Sequence, residues 1–103
     1  MTILLALTLL HGVVMRGPTQ PVCQVGKPCS APAVGALLVF SRGTTAVRVR
    51  TGTGGRYSVR LVPGIYTVRV SPQPKIGAGI QPREVRVRGA GVLADFMIDT
   101  GIR

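Results

Sequence analysis

The sequence predicts an all-β protein: a sandwich of seven antiparallel strands. Three observations carry this. Gly55–Val70, GRYSVRLVPGIYTVRV, holds two runs of strict apolar/polar alternation about one Pro-Gly. Successive side chains of a strand leave on opposite sides, so alternation marks a strand with one buried face. Similar runs recur at intervals of roughly ten residues, the spacing of a β-sandwich. Finally, 14 Gly and 8 Pro punctuate a chain that is 46% hydrophobic, and no window sustains the apolar spacing of a helix. A chain of 103 residues makes one domain with a modest core.

Residues 1–10, MTILLALTLL, are apolar but too short to cross a membrane, which takes about 20 residues. Three readings fit them. They are a secretion signal cut short by a misplaced start, an atypical signal with no basic residues before it and no A-x-A site after it, or an extension of the first strand. The first agrees best with the cysteines discussed below, and no lipidation cysteine follows directly. The folded domain is then 11–103, and Leu10–Met15 is its first strand. Residues 16–33 form a long connection with four prolines and both cysteines. Val34–Phe40 is almost continuously apolar, as a central core strand should be. Thr45–Arg50 alternates, with Val47 and Val49 inward and Arg48 and Arg50 outward.

Gly52–Gly55 breaks the chain before the opening motif. Arg56–Leu61 turns Tyr57, Val59 and Leu61 inward and Arg56, Ser58 and Arg60 outward. Val62-Pro63-Gly64 is the expected turn, with Pro63 presetting a turn angle and Gly64 at the positive-φ position. The strand to Val70 turns Tyr66, Val68 and Val70 inward and Ile65, Thr67 and Arg69 outward. These two strands are expected to pair as the central hairpin. A loose loop follows to Gly79. Pro82–Arg88 is a strand with Val85 and Val87 inward and Glu84, Arg86 and Arg88 outward. Val92–Asp99 is the last, with Phe96 and Ile98 inward.

Cys23 and Cys29 lie six positions apart in this Pro-rich connection. Metal sites use two- or four-residue gaps and further ligands, and a redox dithiol reads C-x-x-C. A local disulfide fits best. It would tie the 16–33 loop, contribute about 2 kcal/mol and imply an oxidising, extracytoplasmic location.

The formal charge is +10, from eleven Arg and two Lys against Glu84, Asp95 and Asp99. Such a field attracts polyanions: nucleic acid, anionic lipid or acidic polymers. Outward strand positions must be polar in any case, and arginine fills them while its stem covers apolar surface. Alternation places Arg48, Arg50, Arg56, Arg60, Arg69, Arg86 and Arg88 outward. They make one basic face if their strands share a sheet, and a diffuse charge if not. Sheets that read nucleic acid add aromatic stacking platforms. Here Phe40, Tyr57, Tyr66 and Phe96 point inward, which disfavours specific nucleic-acid recognition and leaves nonspecific polyanion attachment.

Thr51-x-x-x-Gly55-x-Tyr57-x-Val59-x-Leu61-x-Pro63-Gly64-x-Tyr66-x-Val68-x-Val70 resembles the core motif of carboxypeptidase regulatory-like domains, members of the prealbumin-like (transthyretin-like) sandwiches. His11-Gly-Val-Val14 resembles the family's first strand, and Pro32-Ala-Val-Gly-Ala36 the start of its second. The resemblance covers most of residues 11–99. It implies that Gly55, Tyr57, Pro63, Gly64 and Tyr66 are structural positions. It also implies a non-catalytic accessory module, secreted or at the cell surface, that serves as a spacer or interaction platform. Some relatives bind carbohydrate. Within these residues there is no catalytic domain to regulate, which leaves binding or structure.

Chemistry finds little support. The hydroxyisourate-hydrolysing branch of this fold ends in Tyr-Arg-Gly-Ser and uses several histidines. This chain ends Asp99-Thr-Gly-Ile-Arg103 and has one histidine. His11 is the only candidate base, and no nucleophile elbow accompanies it. Asp95 and Asp99 share a strand face and could do acid/base work or hold a cation, but pairing with Arg86 or Arg88 across the sheet is simpler. Gly52-x-Gly54-Gly55 lacks the Lys-Ser/Thr of a phosphate loop. The expectation is therefore no enzyme, no cofactor, no metal and no membrane span. The chain reads as an interaction module or, alternatively, a binder of anionic glycans or other polyanions.

Overall fold

The computed structural model describes residues 7–18, 26, 29–71 and 79–100. Among them there is no α-helix. Ten strands form two sheets: β1 (Thr8–Gly17), β2 (Ala31–Pro32), β3 (Leu37–Arg42), β4 (Thr45–Arg50), β5 (Arg56–Leu61), β6 (Gly64–Ser71), β7 (Gly79–Gln81), β8 (Glu84–Val87), β9 (Gly91–Leu93) and β10 (Phe96–Asp99). The all-β class with two sheets is as the alternation predicts. Cys23, much of the 16–33 connection and residues 72–78 lie outside the described residues, as do residues 1–6 of the apolar N-terminus.

The first sheet is built around β1. Its N-terminal half pairs antiparallel with β5 and parallel with β9, and its C-terminal half pairs antiparallel with β2 and parallel with β10, beyond which lies β7. The second sheet runs β4-β3-β6-β8, antiparallel throughout. The expected wholly antiparallel sandwich of seven strands is thus corrected in two ways. β1 lies parallel to the end of the chain, and short β2 and β7 extend the first sheet. Strands of two or three residues are too brief to show periodicity.

The Gly55–Val70 block is also corrected. β5 and β6 do not form a hairpin, because β5 pairs with β1 while β6 pairs with β3 and β8. Val62-Pro63 is a corner at which the chain leaves one sheet for the other. The Tyr66 hydroxyl pins it by donating to the Val62 carbonyl at 2.6 Å, the arrangement of a tyrosine corner. Gly64 does take the expected positive φ, 159°, but at the first residue of β6, and a Cβ there would lie 2.6 Å from the Arg42 side chain. The hairpin that does form joins β3 to β4 through Gly43-Thr44, with Arg42 opposite Thr45.

The inward assignments of alternation survive this rearrangement. Tyr57 and Leu61 of β5, Tyr66, Val68 and Val70 of β6, Val87 of β8, and Phe96 and Ile98 of β10 are all buried. Phe40 of the second sheet meets Tyr57 and Phe96 of the first, with ring centroids 6.0 and 6.2 Å apart. Tyr57 and Phe96 are 5.8 Å apart. Each tilted pair adds about 1 kcal/mol beyond burial, so this triangle joins the sheets at their centre. Thr51 is buried too. Its hydroxyl donates to the Ala33 carbonyl and accepts from the Ala36 amide, tying the approach to β3 to the end of β4.

The predicted last strand is interrupted at Ala94-Asp95. Gly12 of β1 lies opposite Tyr57, and with no side chain it lets the backbone of Ala94 come close; a Cβ there would collide with the Ala94 carbonyl. Tyr57 reaches across the glycine and donates its hydroxyl to that carbonyl at 2.6 Å. The Asp95 carboxylate accepts the Val13 amide at 2.8 Å. A side chain thus takes a place in the ladder, and β9 and β10 count as two strands.

Candidate functional site

Pairing decides which arginines are neighbours. On the outer face of the second sheet, Val39 lies between Arg48 of β4 and Arg69 of β6, and Leu37 lies between Arg50 and Ser71. With neighbouring strands about 4.8 Å apart, Arg48 and Arg69 start about 10 Å from one another. Arg50 lies about 7 Å from Arg48 along the strand. Arg86 of β8 faces Ile65 at the other end of this surface. Glu84, opposite Thr67, is the one acidic residue on these four strands. Arg48, Arg50, Arg69 and Arg86 are all exposed. The result is a face with a cationic cluster at one end, where Leu37 and Val39 form an apolar strip between the arginines.

The remaining predicted arginines do not join this face. Arg56 and Arg60 belong to β5 in the other sheet, opposite Val13 and Leu9. Arg88 follows β8 and is exposed. The outer face of the first sheet has a different character. Leu9, Leu93 and Met97 are exposed there, and exposed His11 lies between Ser58 and Leu93 in the register. Sequence alternation could not separate these two faces, because an outward position looks the same on either sheet.

The expected pairing of Asp95 and Asp99 with Arg86 or Arg88 is overturned. Asp99 ends β10 of the first sheet and Asp95 lies in the break just before that strand, whereas β8 belongs to the second sheet, and the Asp95 carboxylate accepts the Val13 amide. Burial, with the charge of Asp95 added, pushes the Tyr57 phenol well above its ordinary range. It therefore remains a proton donor to Ala94. Among the described residues no group of three His, Cys, Asp or Glu lies together as a metal site would need. Cys29 is not a free thiol, while its expected partner Cys23 lies outside the described residues.

Two hollows adjoin the basic face. One, of about 470 Å³, opens between the sheets at the end where Arg16 and Arg50 flank Val70 and Ile98; Arg50 is held there by donating to the Gly35 carbonyl at 2.8 Å. The other, of about 480 Å³, is a groove between β4 and β5. Val49, Arg50, Gly52, Arg56, Tyr57 and Ser58 line it. No helix among the described residues is long and apolar enough to cross a membrane. Comparisons with protein-family models, characterised proteins and solved structures find no match to this chain.

Proposed function

We propose that the protein is a non-catalytic interaction module, secreted or at the cell surface, that takes an anionic partner on the outer face of its second sheet. The observation that carries this is the gathering of Arg48, Arg50 and Arg69 around Val39 and Leu37 on one sheet face whose four strands carry a single carboxylate, Glu84. The motif at Gly55, Tyr57, Pro63, Gly64 and Tyr66 supports a carboxypeptidase regulatory-like, prealbumin-like module. Within it Tyr57 and Tyr66 build the core and the corner. The same cluster supports the alternative, an anionic glycan or other polyanion as the partner.

The test is retention on immobilised heparin and on immobilised poly-glutamate at low ionic strength, followed by salt elution. Neutralising phosphate-like or carboxylate charges with arginine makes affinity fall steeply with salt. The Arg48→Gln/Arg69→Gln double variant is expected to elute at clearly lower salt than Arg56→Gln/Arg60→Gln, which removes equal charge from the other sheet. Preference for heparin would favour the glycan, and preference for poly-glutamate an acidic protein. Failure to be retained on either resin, or equal loss in both variants, would sink the reading. The extracytoplasmic location rests on pairing of Cys23 with Cys29. Thiol titration with and without reductant checks it, and two free thiols in protein folded under oxidising conditions would remove that support.

A further inference from the structure

β4 ends the order of its sheet, so one side of it carries no strand among the described residues. The Thr51 amide donates to the Ala36 carbonyl at 2.9 Å. Successive peptide groups of a strand point to opposite sides, so those of Thr45, Val47 and Val49 face β3. Those of Ala46, Arg48 and Arg50 face the open edge. The edge is regular: its register with β3 runs unbroken from Leu37–Arg50 to Arg42–Thr45, and TAVRVR contains neither Pro nor Gly. Open edges of this kind invite another strand unless charge, proline or a bulge guards them. Among the described residues of the edge the guard is the two arginines alone.

The side chains that a new strand would meet follow from the same alternation. Opposite Arg48 and Arg50 its residues would project over the basic outer face. Opposite Val47 and Val49 they would project inward, toward the groove of about 480 Å³ between β4 and β5. We infer that the β4 edge accepts an extended segment of a partner protein in which acidic and apolar residues alternate, added antiparallel as a fifth strand of the second sheet. Main-chain bonds to Ala46, Arg48 and Arg50 supply affinity. Carboxylates over the arginines and apolar side chains in the groove supply selectivity. A second copy of this chain is the poorer occupant, because antiparallel pairing of two β4 edges sets arginines against arginines. The inference rests on the interaction-module reading and names its partner's chemistry.

The test uses the acetylated and amidated peptide Glu-Val-Glu-Val-Glu-Val, its Lys-Val counterpart, and a Glu-Val form N-methylated at alternate amides. Isotope-labelled protein is titrated with each and followed by amide NMR and hydrogen exchange. The Glu-Val peptide is expected to bind saturably and to slow exchange at Ala46, Arg48 and Arg50 by more than about tenfold. The Lys-Val and N-methylated peptides should not bind. Ala46→Pro removes an edge-facing amide but none that serves β3, and it keeps the charge. It should lose the peptide and keep its heparin and poly-glutamate retention, so loss of the edge and loss of the basic face are told apart. Arg48→Glu/Arg50→Glu should switch preference to the Lys-Val peptide. Equal binding by the N-methylated peptide or by Ala46→Pro would overturn the inference. So would shifts confined to Arg69 and Arg86, or edge amides already protected in a dimer without peptide.

Discussion

Tyr57 shows how one residue serves both packing and the ladder. Its ring contacts Phe40 and Phe96, it lies over Gly12, and its hydroxyl holds the Ala94 carbonyl. Burial and then Asp95 raise its phenol above the ordinary value of 10.0. A phenol that ionises later in the folded than in the unfolded chain favours folding while it is neutral. That contribution is complete below about pH 10 and is lost as pH rises beyond it. Tyr57→Phe is expected to cost about 1 kcal/mol at neutral pH. It should also flatten the decline of urea-melt stability between about pH 10 and 12. A variant with the parent's full alkaline decline would assign that decline to another group. Alternation placed Tyr57 inward, but nothing in its own strand pointed to Gly12 or Ala94, which lie far away in sequence.

Among the elements, β4, β5 and β6 were legible almost to the residue, because each alternates over its length, while β8 was legible as a strand but runs only over Glu84–Val87 and not over the expected Pro82–Arg88. The last strand was legible as a strand but not as two. Its interruption depends on Gly12 of β1 and on a carboxylate that replaces a carbonyl, neither of which alters the local pattern. The Pro63-Gly64 segment was legible as a reversal and was misassigned as a hairpin turn. A chain that reverses within a sheet and one that crosses between sheets can both place tyrosines inward on either side of a Pro-Gly. What separates them is that β6 finds β3 and β8 while β5 finds β1. The sequence showed the arginines pointing outward but not their grouping, for the same reason.

The whole molecule depends on the contact between sheets. Phe40 is fully buried and is the second sheet's member of the aromatic triangle, so Phe40→Ala should cost about 3–5 kcal/mol. If the sheets fold as one cooperative unit, the loss should appear as a single transition shifted to lower urea in circular dichroism and tyrosine fluorescence alike. Transitions that separate between the two probes would show sheets that fold independently. The two outer faces differ: over the second sheet Arg48, Arg50, Arg69 and Arg86 stand about an apolar strip, and over the first, exposed Leu9, Leu93, Met97 and His11 stand beside Arg56 and Arg60.

By itself the sequence determined the all-β class, the strand positions of the central region and the buried face of each, because the period-two placement of apolar side chains is a local property. Only the tertiary structure decided which strands pair. It turned the central block into a corner, collected Arg48, Arg50, Arg69 and Arg86 on one surface, sent Arg56 and Arg60 to the other, and left β4 at an edge. Strand pairing is made by backbone amides and carbonyls that every residue other than proline offers alike. The choice of partner therefore falls to contacts between residues distant in the chain.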